Sequence, residues 1–171
     1  MTKEELFDVT LNSYKRYYNL NTEDVLPPFS AQATFQSHNE QYMLIKAAKI
    51  AEMDANEYVY FYLTETISEE EMLHLIQVAW EDGLSKVVPS SSHRNSDVTV
   101  FIVADSIPEN VRKRMRKVRL NKSYALGLKG YSNFRLVALE SSSGKAMFNP
   151  QGDSMKKLVR NILKEGKGEK T

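Results

Sequence analysis

Val98-Thr99-Val100-Phe101-Ile102-Val103-Ala104 is a seven-residue run without a charge, and six of its residues are β-branched or aromatic. It lacks the apolar–polar alternation of a strand with one wet face, so it predicts a central strand covered on both sides. The layers that cover it are sought on either side of it. Upstream, Ser68-Glu69-Glu70-Glu71 is a helix-capping pattern with three carboxylates where the positive end of a helix favours them. Met72, Ile76, Ala79 and Trp80 follow at helical spacing, and Gly83 reads as the stop. Between this helix and the strand lies a polar loop, Pro89 to Ser96. Downstream, Ser106-Ile107-Pro108-Glu109 opens a helix over 108–122 with proline in its first turn. Val111, Met115 and Val118 form its narrow apolar stripe.

The remaining elements follow from the same two periods. Thr2-Lys3-Glu4-Glu5 is a capping box, and Phe7, Leu11, Tyr14 and Tyr18 predict a helix over 3–19. Pro27-Pro28 breaks the chain. From Phe29 the period becomes two, with Phe29, Ala31, Ala33 and Phe35 on one predicted face. Tyr42–Ile50 fits a helix or a strand, and the strand signals on both sides make a meander the more economical reading. Asp54-Ala55-Asn56 supplies a turn into an aromatic strand, Tyr58–Leu63, with its three tyrosines on one face. Tyr124–Leu128 and Phe134–Leu139 read as strands, and Ser143-Gly144-Lys145 turns into a short one ending at Phe148. Asp153 starts a helix that buries Met155, Leu158, Val159, Ile162 and Leu163. The order α-β-β-β-α-β-α-β-β-(β)-α predicts a single α+β domain over 1–165, with an antiparallel or mixed sheet and helices packed on it. Residues 166–171 read as a frayed, charged tail.

Composition narrows the function classes. A chain of 171 residues, 42% apolar and 26% charged, suits one folded domain. Without cysteine, thiolate metal sites, iron–sulfur clusters and disulfide scaffolds are excluded. The longest uncharged apolar run, Met72–Trp80, is far short of a membrane span and contains His74. The acidic start of the chain is unlike a secretory signal. A cytoplasmic protein is expected. The net charge of +1 conceals a split: residues 1–100 carry 7 Lys/Arg against 16 Asp/Glu, whereas 101–171 carry 16 against 6. Such a split points to a partner for one face, or to attraction between the halves within one chain or across a homodimer.

The densest chemical signal lies in Arg112–Lys122, where 7 of 11 residues are cationic. Phosphate neutralisation needs cations in this density, and Tyr124, Tyr131 and Phe134 offer rings for stacking on a single strand. Arg112, Lys113, Arg116, Lys117, Arg119, Lys122 and Tyr124 are therefore the candidate nucleic-acid or partner-binding residues. The competing explanation is a solvated basic face opposite the acidic half. No catalytic residue, metal site or cofactor motif is assigned. His38, His74 and His93 are not spaced as ligands; His93, near Asp97 in the serine loop, has the better claim to a site. Ser154-Met155-Lys156-Lys157 matches S-x-x-K but reads as a helix start.

The order helix, meander, helix, strand resembles the core of restriction-endonuclease-like nucleases. Their chemistry needs an acid on the second strand and an acid-x-Lys pair on the third. Here the third strand reads Glu57-Tyr58-Val59, with valine where lysine should stand, and Asp54 and Glu57 fall in a predicted turn. A second resemblance runs from Asn56-Glu57-Tyr58-Val59 through Lys122-Ser123-Tyr124 and Gly130-Tyr131-Ser132 to Asn149-Pro150-Gln151-Gly152. These segments are similar to a family of small uncharacterised proteins from clostridial bacteria, which implies no activity. The function expected is that of a non-catalytic interaction or regulatory protein, self-associating through complementary charge. The alternative is nucleic-acid binding by the basic helix, and an enzyme of unidentified reaction comes third. A small-molecule ligand is not identified, and no membrane partner is expected.

Overall fold

The structure is a computed structural model that describes residues 1–36, 54–90 and 93–168. Helix α1 (Lys3–Tyr14) leads into strands β1 (Asn19–Asn21), β2 (Ala31–Gln36) and β3 (Asp54–Thr64). Helix α2 (Glu69–Ser85), strand β4 (His93–Ala104), helix α3 (Glu109–Met115) and strand β5 (Asn121–Ser123) follow. Strands β6 (Tyr131–Glu140) and β7 (Lys145–Phe148) and helix α4 (Lys156–Gly168) complete the chain. The sheet runs β1-β2-β3-β4-β6-β5, with β7 on the same side of β6 as β5. The first three strands form an antiparallel meander, β3, β4 and β6 are parallel, and β5 and β7 run antiparallel to β6. The fold is a single α+β domain around a mixed, open sheet.

Helices cover both faces. Met72, Leu75, Ile76 and Ala79 of α2, with Val111 and Met115 of α3, meet Tyr58, Tyr60, Val98, Val100 and Phe134. On the other face Leu6, Phe7, Leu11 and Tyr14 of α1, with Val159 and Ile162 of α4, meet Val59, Phe61, Phe101 and Val137. Val98 and every residue from Val100 to Ala104 is fully buried, as a central strand requires. The caps are as expected: Thr2 and Glu5 exchange both hydrogen bonds of a capping box, and Ser68 Oγ accepts the Glu71 amide.

Several local expectations yield to tertiary pairing. Helix α1 stops at Tyr14, although Tyr18 still packs against Tyr14 and Phe35. Phe29 precedes β2 and joins the face opposite Ala31 and Ala33, its ring against Tyr60. Asp54-Ala55-Asn56, expected as a turn, begins β3 in register with β4, so Glu57 also lies within the strand. The predicted strand Tyr42–Ile50 lies outside the described residues. His93, expected in a loop, opens β4, because Asn95 is paired on both sides with Ala55 and Tyr131. The last helix extends to Gly168, past the expected start of the tail.

Gly83 is not a stop. It lies inside α2, where a Cβ would stand 2.5 Å from Val98 Cγ2. Alanine is the better helix former by about 1 kcal/mol, but overpacking a rigid buried valine costs about 1–3 kcal/mol. Gly83→Ala is therefore expected to lower stability, and Val98→Ala in the same chain to recover part of the loss. Additive effects in a urea-denaturation double-mutant cycle would contradict this contact.

Candidate anion-binding rim

The basic segment is split by hydrogen bonding. Helix α3 ends at Met115 rather than running to residue 122, because the chain beyond it is drawn onto the edge of β6. Leu120 O accepts the Phe134 amide at 3.0 Å, and Asn149 Nδ2 donates to Val118 O at 3.2 Å. The buried Asn149 side chain also bonds Phe134 O, the Leu136 amide and the Gly152 amide, so it joins three segments at one point. Tyr124–Leu128, expected as a strand, is the tip of the β5–β6 hairpin and contains a short 3₁₀ turn. Ala125, Leu126, Gly127 and Gly130 all take left-handed φ values, and the Leu126 and Leu128 side chains project into solvent.

The candidate residues have different fates. Arg112 belongs to the fold: its Nη2 lies 2.5 Å from Glu140 Oε2 and its Nε donates to Ile107 O at 2.8 Å. Glu140 is 4% exposed. Burial opposes its charge, but donation from Ser143, the Ile107 amide and Arg112 outweighs this and holds the carboxyl below the ordinary range. Arg114 stands 3.7 Å from Glu69. Lys113, Arg116, Lys117, Arg119 and Lys122 are exposed and have no acidic partner within 4 Å among the described residues. The sequence holds no Asp or Glu from Asn110 through Leu139. From Asn110 to the hairpin tip the chain of this rim therefore contributes only positive charge.

The rings near it are also sorted by the structure. Phe134 is fully buried against Trp80 and offers no stacking surface. Tyr131 is 41% exposed. Tyr124 is half-buried under Lys122 Nζ, with its hydroxyl 2.9 Å from Ser132 Oγ. His93 is buried, its ring nitrogens bonded to Lys129 O and Ser96 Oγ at 2.7 and 2.8 Å, and its ring meets Tyr124 edge-on. It anchors the hairpin to β4 instead of lining a site.

A second polar group was not legible in the sequence. Glu57 of β3, Asp97 of β4 and Arg135 of β6 meet under the end of α1. Arg135 stands 3.2 Å from Glu57 Oε2 and 3.8 Å from Asp97 Oδ2, and donates to Thr99 Oγ1 at 3.0 Å. Tyr18 donates its hydroxyl to Glu57, and the buried Tyr14 hydroxyl has no hydrogen-bond partner among the described residues. Burial pushes the Asp97 carboxyl up despite Arg135. Burial first, then the neighbouring Glu57, push the Tyr18 phenol far up, so it stays a donor. This trio neutralises part of the charge split inside the molecule. It is not the nuclease pattern, since β3 carries no lysine; the strand expected at Tyr42–Ile50, where the acid would stand, lies outside the described residues. Among the described residues no three acids or histidines converge to hold a metal. The tyrosine row of β3 is structural too, since Tyr60 and Tyr62 donate to Asp82 and Glu71 of α2.

A family model described as a domain of unknown function (DUF8052) matches residues 2–161. No curated protein and no solved structure matches the chain. Among the described residues no helix is long and apolar enough to cross a membrane.

Proposed function

The chain belongs to the DUF8052 family of domains of unknown function, and from that premise we propose a non-catalytic binding domain whose rim engages the phosphate backbone of a nucleic acid. The observation that carries this reading is the set of exposed cations at Lys113, Arg116, Lys117, Arg119 and Lys122 with no acidic partner within 4 Å among the described residues. Such groups release condensed counterions when phosphates replace them, and Tyr131 and Tyr124 stand next to them for base stacking. Self-association through complementary charge is the second reading, supported by the three carboxylates at the start of α2. It is less well supported. An acidic patch meeting a basic rim on another copy is a head-to-tail contact, which closes into a dimer only if both patches share one face.

The test is a fluorescence-anisotropy titration with a labelled single-stranded oligonucleotide at several salt concentrations, paired with light scattering. Binding is expected to weaken with salt at a log–log slope of about −0.7 per neutralised phosphate. Arg116→Glu, Lys117→Glu and Arg119→Glu together should make that slope shallower by about 2 and leave the melting temperature unchanged. Arg112 is left in place because the fold uses it. Salt-independent binding, or none, overturns the reading. A mass that halves in the triple variant replaces it with self-association.

A further inference from the structure

We propose that the open edge of β7 and the adjoining face of α4 form a docking groove for an extended acidic peptide, which adds to the sheet as a further strand. A cleft of about 400 Å³ lies between these two elements. Ala146, Phe148 and Leu163 floor it, and Lys156, Arg160, Lys164 and Lys167 stand along it. It is distinct from the rim, since α3 and α4 cover opposite faces of the sheet.

Three features select the occupant. The first is the main chain. The Asn149 amide donates to Leu136 O, which continues the β6–β7 register of Val137↔Phe148. Bonded and non-bonded pairs alternate in an antiparallel ladder, so Lys145 and Met147 bond to β6, and Ala146 and Phe148 turn their amides and carbonyls outward. No described residue pairs with that side of β7. The second is charge. Lys156 is shared with Asp153 at 2.9 Å, while Arg160, Lys164 and Lys167 have no acidic partner within 4 Å among the described residues.

The third feature is spacing. Cations four apart on a helix are separated by about 6 Å along its axis, and alternate side chains of a strand by about 6.6 Å. Helix α4 runs back along β7: Lys156 Nζ sits 6.0 Å from the Phe148 ring centroid, and Lys167 reaches Gly144 at the other end. A strand with a carboxylate at every second position therefore meets Lys156, Arg160 and Lys164 in turn, its stems lying over Leu163 and Phe148. Main-chain bonds to Ala146 and Phe148 supply affinity, and the cation row supplies preference for acid, as in other strand-addition complexes.

The probe is a dye-labelled hexapeptide alternating glutamate and valine, with its lysine–valine counterpart as control, titrated at low salt. Only the acidic peptide is expected to bind. Ala146→Pro removes an outward-facing amide that β6 does not use, a place where an edge strand tolerates proline. It should weaken binding at least tenfold and leave the melting temperature within a few degrees. Arg160→Glu with Lys164→Glu should do the same by charge. Exchange of the Ala146 and Phe148 amides should slow on adding peptide, a measurement that decides even if Ala146→Pro does not fold. Equal binding of both peptides, an unchanged affinity in Ala146→Pro, or unprotected amides at Ala146 and Phe148 would each overturn strand addition. So would displacement of the peptide by an oligonucleotide that the charge pair no longer binds, since that makes the groove a phosphate site.

Discussion

Phe101→Asp is expected to abolish the cooperative fold. Phe101 is fully buried in the middle of β4, its ring 5.9 Å from that of Phe61 and 6.5 Å from that of Tyr14. Two losses add. Removing the ring from a close-packed core costs about 3–5 kcal/mol, and a carboxyl placed there without a partner costs several more, in whichever protonation state it takes. Arg135, the nearest buried cation by register, sits opposite Thr99 and is already held by Glu57 and Asp97. The sum is comparable with the whole stability of a domain, about 5–15 kcal/mol. Loss of near-ultraviolet circular dichroism and of the thermal transition is the expected signature. Phe101→Leu should keep both, with a lowered melting temperature. A folded aspartate variant with an unchanged transition would mean that β4 is not the central strand.

Arg135→Leu is expected to cost at most about 3–5 kcal/mol at neutral pH, the figure for fully buried charges left without their counter-ion, since Glu57 and Asp97 keep part of their side chains in solvent. The loss should be pH-dependent, and its sign follows from Asp97. Burial raises the Asp97 carboxyl in the folded state, and Arg135 is the first influence that opposes this. A raised carboxyl means that the native state holds its proton to higher pH than the unfolded chain does. Below the unfolded value no penalty exists; the cost of the buried charge builds as pH rises from the unfolded value to the folded one and is complete above it. Without Arg135 that cost is larger and is complete only at higher pH. The gap in melting temperature between variant and parent should therefore be widest near pH 7 and narrow as pH falls towards 4. A gap that stays constant would assign the loss to packing, and the trio would then carry no electrostatic role.

The elements that the amino-acid sequence determined are those whose information is local. The uncharged run Val98–Ala104 marks the central strand, because only two covering layers relieve so much apolar surface of water. Thr2 and Ser68 mark two helix starts, since a cap satisfies amides within three residues of itself. The alternation Tyr58–Leu63 divides β3 between two cores, and the α+β order follows from the sequence of periods, which left the sheet antiparallel or mixed. The density of cations after Arg112 was equally plain.

Tertiary structure decided where those cations act. Helical propensity runs on past Met115, but Leu120 and Val118 gain more from hydrogen bonds to Phe134 and Asn149 than from another helical turn. Whether Arg112 is free depends on Glu140, 28 positions away and on a different element. Glu57, Asp97 and Arg135 form a trio only because the registers of β3, β4 and β6 align them. The groove likewise exists only because α4 returns along the unpaired side of β7. Periodicity and capping are read over a few residues, so they report which elements form. Register, edge exposure and ion pairing depend on contacts between segments far apart in the chain, and no local pattern encodes them.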